Sequence, residues 1–205
     1  MIESFLTHEQ MVLAERLLPE MKDFYLAGGT ALALQIGHRR SLDFDLASCK
    51  QIRPFDLERK LINLELSIQT VFTATSDEFS VLINGTRITF FSFPFSVQHK
   101  ITWQRGHITL PGIIELGAMK AYALSRRSKW KDYVDLYFLL RFKLSMEELI
   151  EKTKEIFSSH FNSRLFREQL CYFDDMDYSE AIEYMDYAPD DREIKEFLEA
   201  IAVRI

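Results

Sequence analysis

The sequence predicts an α+β fold: a small mixed β-sheet core flanked by early helices, followed by a helical C-terminal half. Three observations carry that expectation. The first half holds short apolar runs broken by glycine and asparagine, the mark of strands and turns. Within it, Asn84-Gly85 stands between two such runs, as in a tight hairpin. After Pro111-Gly112 the apolar residues recur with helical spacing instead. The chain is therefore divided at that point, into an α+β core (1–111) and a helical region (112–205). At 205 residues and 47% apolar composition, it can bury a core of ordinary size.

The elements follow in order. Thr7-His8-Glu9-Gln10 is a capping-box pattern, predicting a helix from His8 towards Leu18 that stops near Pro19. Phe24–Ala27 reads as a short buried strand ending at the Gly28-Gly29 turn. Thr30 to Ile36 is expected to be helical, with Gly37 ending the helix. Leu42–Ala47 is the next expected strand. Pro54 suits the first position of a helix over Phe55–Leu64. Two strands, Phe79–Ile83 and Arg87–Ser92, flank the asparagine–glycine turn, and Pro94 ends the second. Gln98–Leu110 is read as extended or loop. Helices are predicted over Ile113–Arg126 and Lys129–Phe142, from a second capping box at Ser145-Met146-Glu147-Glu148 to Phe157, from an Asn162 cap, and over Asp191–Ile205.

Composition excludes several classes. No stretch reaches the roughly 18–20 consecutive apolar residues of a membrane helix. Met1-Ile2-Glu3-Ser4-Phe5 has neither the basic region nor the apolar run of a secretory signal. Cys49 and Cys171 are too few and too far apart for a disulfide framework or a zinc site, which suggests a reducing cytoplasm. The net charge of −6 is uneven: Cys171 to Ile205 holds eleven acidic and three basic residues, so the preceding 170 residues carry +2. An anionic substrate is thus compatible with the first part of the chain. The acidic tail is read as a solvated helical face.

Two motifs carry chemistry. Gly28-Gly29-Thr30 lies between a strand and a helix, where small residues let a phosphate approach backbone N–H groups and the helix N-terminus. Thr30 adds a hydroxyl and is expected to cap the helix. Asp43 and Asp45 flank Phe44 between Leu42 and Leu46, so alternation puts both carboxylates on one face and the apolar residues on the other. Held ~5–7 Å apart, they repel one another unless a cation intervenes. That cation is either a divalent metal or Arg39/Arg40. His38, just past the glycine helix, is within reach of a phosphate or merely ends the helix.

In the second half, Lys120 is a candidate for a triphosphate, with Arg127 seven residues on and therefore on a similar helical face. Asp132 and Asp135 follow in Lys129-Trp130-Lys131-Asp132-Tyr133-Val134-Asp135-Leu136. Asp135 sits in an almost continuous apolar run and needs a cation, for which Lys120, Arg126 and Arg127 are available. The aromatic stripe Phe90, Phe91, Phe93, Phe95 is read as core rather than as a base-stacking platform.

Taken together, Gly28-Gly29-Thr30-Ala31-Leu32-Ala33-Leu34, Gly37-His38-Arg39-Arg40-Ser41 and Asp43-Phe44-Asp45-Leu46 resemble the signature of the AbiEii/AbiGii nucleotidyltransferase toxins, within the polymerase-β-like superfamily. The later Lys120, Arg127 and Lys131-Asp132 to Asp135-Leu136 resemble that family's helical motif. The resemblance implies a nucleoside triphosphate held by the glycine turn with His38, Arg39, Ser41 and Arg127. It implies Mg²⁺ or Mn²⁺ on Asp43 and Asp45, and a site completed by Lys120 with Asp132 or Asp135. An RNA (transfer RNA) or protein acceptor and a cognate antitoxin are implied as partners.

The sequence departs from the pattern at one place. A third carboxylate is expected on Arg87-Ile88-Thr89-Phe90-Phe91, which has none; Thr89 and Ser92 are poor metal ligands, and Asp77 or Glu78 are the nearest substitutes. The alternative is therefore a catalytically degenerate module that binds nucleotide or a partner without transfer.

Overall fold

Apolar residues at alternate positions of one short segment, Phe44 and Leu46, face those of another, Ile88 and Phe90, and all four are fully buried. These segments are the middle of the main sheet. In the computed structural model, which describes residues 1–204, the chain divides into two units, Met1–Gly112 and Ile113–Ile205. The family of folds is α+β, with eight α-helices among the described residues, a five-stranded mixed sheet and a two-stranded one.

In the first unit, α1 (His8–Leu17) starts at the Thr7 capping box, which is formed on both sides. Strand β1 (Tyr25–Ala27) leads directly into α2 (Gly28–Ile36), which ends at Gly37 in the left-handed conformation. Strand β2 (Phe44–Ser48) is followed by α3 (Pro54–Asn63), opened by its proline. Strands β3 (Thr70–Ala74), β4 (Glu78–Ile83) and β5 (Thr86–Ser92) complete the sheet in the order β1-β2-β5-β4-β3. Only β2 and β5 run parallel; the other pairs are antiparallel. Asn84 and Gly85 have φ of 51° and 73°, the positive values that the two-residue hairpin between β4 and β5 demands.

The structure moves several expected boundaries. Strand β2 starts at Phe44 rather than Leu42, because side chains claim the carbonyls just before it: Gln10 Nε2 donates to Leu42 O at 2.9 Å and the Thr30 hydroxyl donates to Asp43 O. Leu42 is consequently exposed rather than buried beside Leu46. Helix α2 starts at Gly28, so Thr30 lies inside its first turn and does not cap it. Strand β3 was not expected. As an edge strand with Val71 and Phe72 half exposed, it has no buried face and so no apolar alternation. The 98–110 stretch contains a small hairpin, β6 (Ile101–Trp103) and β7 (Ile108–Leu110). In the aromatic stripe only Phe90 is fully buried. Phe91, Phe93 and Phe95 are half-buried and meet edge to face, with centroids 5.9 and 5.3 Å apart.

The second unit consists of α4 (Ile113–Leu124), α5 (Trp130–Phe142), α6 (Met146–Phe157), α7 (Ser163–Leu170) and α8 (Asp191–Ala202). Ser145 and Asn162 cap α6 and α7 as expected. Helix α8 buries Ile194, Leu198 and Ala202; its expected last residue, Ile205, lies outside the described residues. The acidic tail is only in part a helical face. Between α7 and α8 it is irregular, and it is tied to the start of α5 by Trp130 N–H to Asp177 O at 3.0 Å and by Glu180 paired with Lys129 at 2.6 Å and with Lys131.

Candidate active site

The antiparallel register of β1 and β2 places Ala27 opposite Asp45. The residue after Ala27 is therefore delivered against the aspartate side chain. That residue is Gly28, at φ +67°; a Cβ built there would stand 2.8 Å from Asp45 Cγ and overlap Oδ2. A Cβ on Gly29 would lie 2.7 Å from Arg39 Nη2 and 3.0 Å from Ser41 Oγ. The turn thus packs its two Cα atoms onto Asp45, Arg39 and Ser41, and at Gly28, with its positive φ, only glycine permits that approach. Arg39, Ser41 and His38 are buried, which is unusual for an arginine. Arg39 Nη1 donates to Arg40 O at 2.9 Å.

Thr30 is buried, and its hydroxyl donates to the Asp43 carbonyl, tying the first turn of α2 to the backbone that carries the first aspartate. Both aspartates are part-exposed. The first-turn N–H groups of α2 have no side-chain cap, leaving a helix N-terminus beside a carboxylate, a guanidinium and a hydroxyl. Such a place accepts phosphate oxygens on one side and offers carboxylate oxygens on the other.

A second cluster lies within the second unit. Lys120 on α4 reaches Asp132 Oδ1 at 2.6 Å and Asp135 Oδ2 at 2.7 Å, both on the first turns of α5. Arg127, from the link between these helices, grips Asp132 with Nε to Oδ2 at 2.8 Å and Nη2 to Oδ1 at 3.3 Å. Asp132 and Asp135 have no exposed surface, and Lys120 is buried; Arg127 is about half exposed, at 48%. Burial pushes the Asp132 carboxyl up, but the attraction of Lys120 and Arg127 outweighs it and holds it below the usual aspartate range. The three-residue spacing of Asp132 and Asp135 puts both on one side of α5, so one ammonium serves both. Of the cations considered for Asp135, Lys120 is in place at 2.7 Å.

Sequence reasoning passed over one group. Asp45 is opposite Thr89 in the parallel β2–β5 pair, and Thr89 is opposite Ser80 in the β4–β5 pair. The hydroxyls of Ser80 and Thr89 lie 3.3 Å apart, and Arg87 Nε donates to Ser80 Oγ at 2.9 Å. The hairpin register was available as a signal: a two-residue turn at Asn84-Gly85 pairs Ile83 with Thr86 and hence Ser80 with Thr89. Nothing local announces that β5 then lies beside β2. Neither Asp77 nor Glu78 joins Asp43 and Asp45 in a triad, since among the described residues no three His, Cys, Asp or Glu groups are gathered to hold a metal. A surface cavity of about 710 Å³ beside α3, lined by Lys22, Lys50, Arg53 and Lys60 among others, contains none of these site residues.

Residues 106–202 match the family model of the AbiEii nucleotidyl transferase toxin of type IV toxin–antitoxin systems. An uncharacterized protein of Aquifex aeolicus is 31% identical over 180 residues, covering 85% of this chain and 84% of its own length. Among solved structures, JHP933 from Helicobacter pylori is similar with a TM-score of 0.58 at 19% identity, covering 98% of this chain and 91% of that one. MenT4, a nucleotidyltransferase toxin of Mycobacterium tuberculosis, is similar with a TM-score of 0.59 at 12% identity, covering 94% and 81%. These two likenesses concern the fold. With the family model over its helical half and a relative matched along most of its length, the chain belongs to the AbiEii family of nucleotidyltransferase toxins.

Proposed function

We propose that this chain moves a nucleoside monophosphate from a nucleoside triphosphate to an RNA or protein acceptor, with Mg²⁺ or Mn²⁺, as the cytoplasmic toxin of a toxin–antitoxin or phage-defence pair. The observation that supports this most directly is the packing of Gly28 and Gly29 against Asp45, Arg39 and Ser41. It joins an anion-binding turn to a carboxylate within one unit, although the two are distant in sequence.

The donor chemistry suits the cation. Asp43 and Asp45 offer hard oxygen ligands, and Mg²⁺ is typically held by one or two carboxylates together with substrate phosphates. When bound, it withdraws charge from the phosphoryl oxygens. The N–H groups of Gly28, Gly29 and Thr30, with Arg39, Ser41 and His38, hold the β- and γ-phosphates. Within the second unit, Asp132 and Asp135 hold Lys120, and the half-exposed Arg127 grips Asp132. The acceptor hydroxyl oxygen bonds to the α-phosphorus while the bond to the bridging oxygen of the β-phosphate breaks. Pyrophosphate leaves, and the hydroxyl proton passes to solvent.

Thr89, a hydroxyl opposite Asp45 in place of a carboxylate, favours the competing reading of a module that binds nucleotide without transfer. Incubation with α- or γ-labelled nucleoside triphosphates, Mg²⁺ and cellular RNA and protein separates the two. Transfer of α-label is expected, and Asp43→Asn combined with Asp45→Asn reduces it to background with the circular dichroism spectrum unchanged. Activity retained in the double variant refutes the metal assignment. Nucleotide binding without label transfer establishes the module, and γ-label on the acceptor makes the chain a phosphotransferase.

A further inference from the structure

The strand order puts Asp45 between two different neighbours. On one side, β1 delivers Gly28 and the phosphate-binding turn; on the other, β5 runs parallel to β2. Strand alternation places Arg87, Thr89 and Phe91 on the face that Asp45 occupies, while Ile88 and Phe90 are buried on the opposite one. Arg87 precedes Ile88, the first β5 residue paired with β2, and so lies at the end of the pairing next to Phe44.

Arg87 is built to stay where it is. Its Nε donates to Ser80, which is fully buried, and its Cζ lies 4.7 Å from the centroid of the Phe72 ring. Arg87 is nevertheless an exposed residue. Two anchor points leave the terminal amino groups as an oriented fork, which matches a phosphate's paired oxygens better than it matches neutral groups. Four residues along the same face, Phe91 presents a half-buried ring. A fixed cation and an aromatic ring flanking a hydroxyl are the pair of features that bind a nucleic-acid strand, one for its backbone and one for a base.

We propose that Arg87 clamps a backbone phosphate of an RNA acceptor on the β5 side of Asp45, opposite the nucleotide on the β1 side. This rests on the nucleotidyltransferase reading and deepens it. In-line displacement requires the attacking and leaving oxygens on opposite sides of the α-phosphorus. With the pyrophosphate end held at Gly28 and Gly29, the acceptor enters over β5. There β5 itself carries a cation, Arg87, and no acid, while Glu78 of β4 stands opposite Phe91 at the far end of the same face, so the backbone phosphate is placed at the Arg87 end.

The test compares the whole protein with Arg87→Ala and Arg87→Lys. Transfer of α-label to bulk transfer RNA and to a single-stranded RNA oligonucleotide is measured, together with binding of the fluorescein-labelled RNAs by anisotropy in Mg²⁺. Arg87→Ala is expected to raise KM and Kd for RNA about tenfold and to flatten the dependence of log Kd on log salt by about one contact, while KM for the nucleotide is unchanged. Arg87→Lys recovers part of the loss. An unchanged RNA Kd and salt slope in Arg87→Ala overturns the clamp. So does wild-type protein that binds neither RNA, or label that passes to protein instead. Absence of label transfer from wild type to any acceptor defeats the nucleotidyltransferase reading itself, and the anisotropy measurements still decide the clamp.

Discussion

Gly28 is where backbone conformation and site chemistry meet. Its φ of +67° costs a side-chain-bearing residue about 1–2 kcal/mol, and a Cβ would displace the Asp45 carboxylate. Gly28→Ala is therefore expected to lower the thermal midpoint and to remove Mg²⁺-dependent nucleotide binding, read by thermal shift and calorimetry. Gly29→Ala meets only the ends of the Arg39 and Ser41 side chains, which can shift, and is expected to be milder on both readouts. The glycine pair and the aspartate pair were each legible as motifs. Their contact was not, because it depends on the register of β1 on β2, and nothing in either short run specifies that register. Thr30 shows the same limit: its type suited a cap, yet the neighbouring Asp43 carbonyl claims its hydroxyl.

Among the elements, α4 and α5 are joined by an ionic cluster in which Lys120, Asp132 and Asp135 are buried and Arg127 is half exposed. Asp132→Asn leaves Lys120 and Arg127 short of a counter-charge, and breaking a buried pair in this way costs about 3–5 kcal/mol. Denaturant unfolding of the variant at neutral pH is expected to show that loss. The pH dependence has a definite sign. Asp132 titrates in the folded protein below its ordinary value of 3.8, so unfolding takes up a proton in acid. The stabilisation is complete above about pH 5 and is lost as pH falls through the folded-state value. Wild type should accordingly lose stability in acid more steeply than Asp132→Asn. The need of Asp135 for a cation was readable from its apolar surroundings; the pairing with Lys120 came from the packing of α4 on α5. Strand β3 was missed because an edge strand exposed on both faces carries no alternation to read.

For the whole molecule, the acids and the glycine turn belong to the first unit, and the Lys120 cluster to the second. With Mg²⁺ and a non-hydrolysable nucleoside triphosphate, wild type should gain thermal stability by mass action. Arg127→Ala, which keeps Lys120 on Asp132, is expected to lower the unfolding midpoint less than Asp132→Asn, read by denaturant titration. A loss as large as that of Asp132→Asn would show that Arg127 is the cation the cluster depends on.

The amino-acid order by itself determined the local features of this protein. Capping boxes, the asparagine–glycine hairpin, the alternating acids and the change from strand to helix patterning are all short-range, set by dihedral preference and side-chain period. Tertiary structure alone decided which strand lies beside which. That choice put Gly28 on one side of Asp45 and Thr89 with Arg87 on the other, because burying Phe44, Leu46, Ile88 and Phe90 in one core requires β2 and β5 to be neighbours.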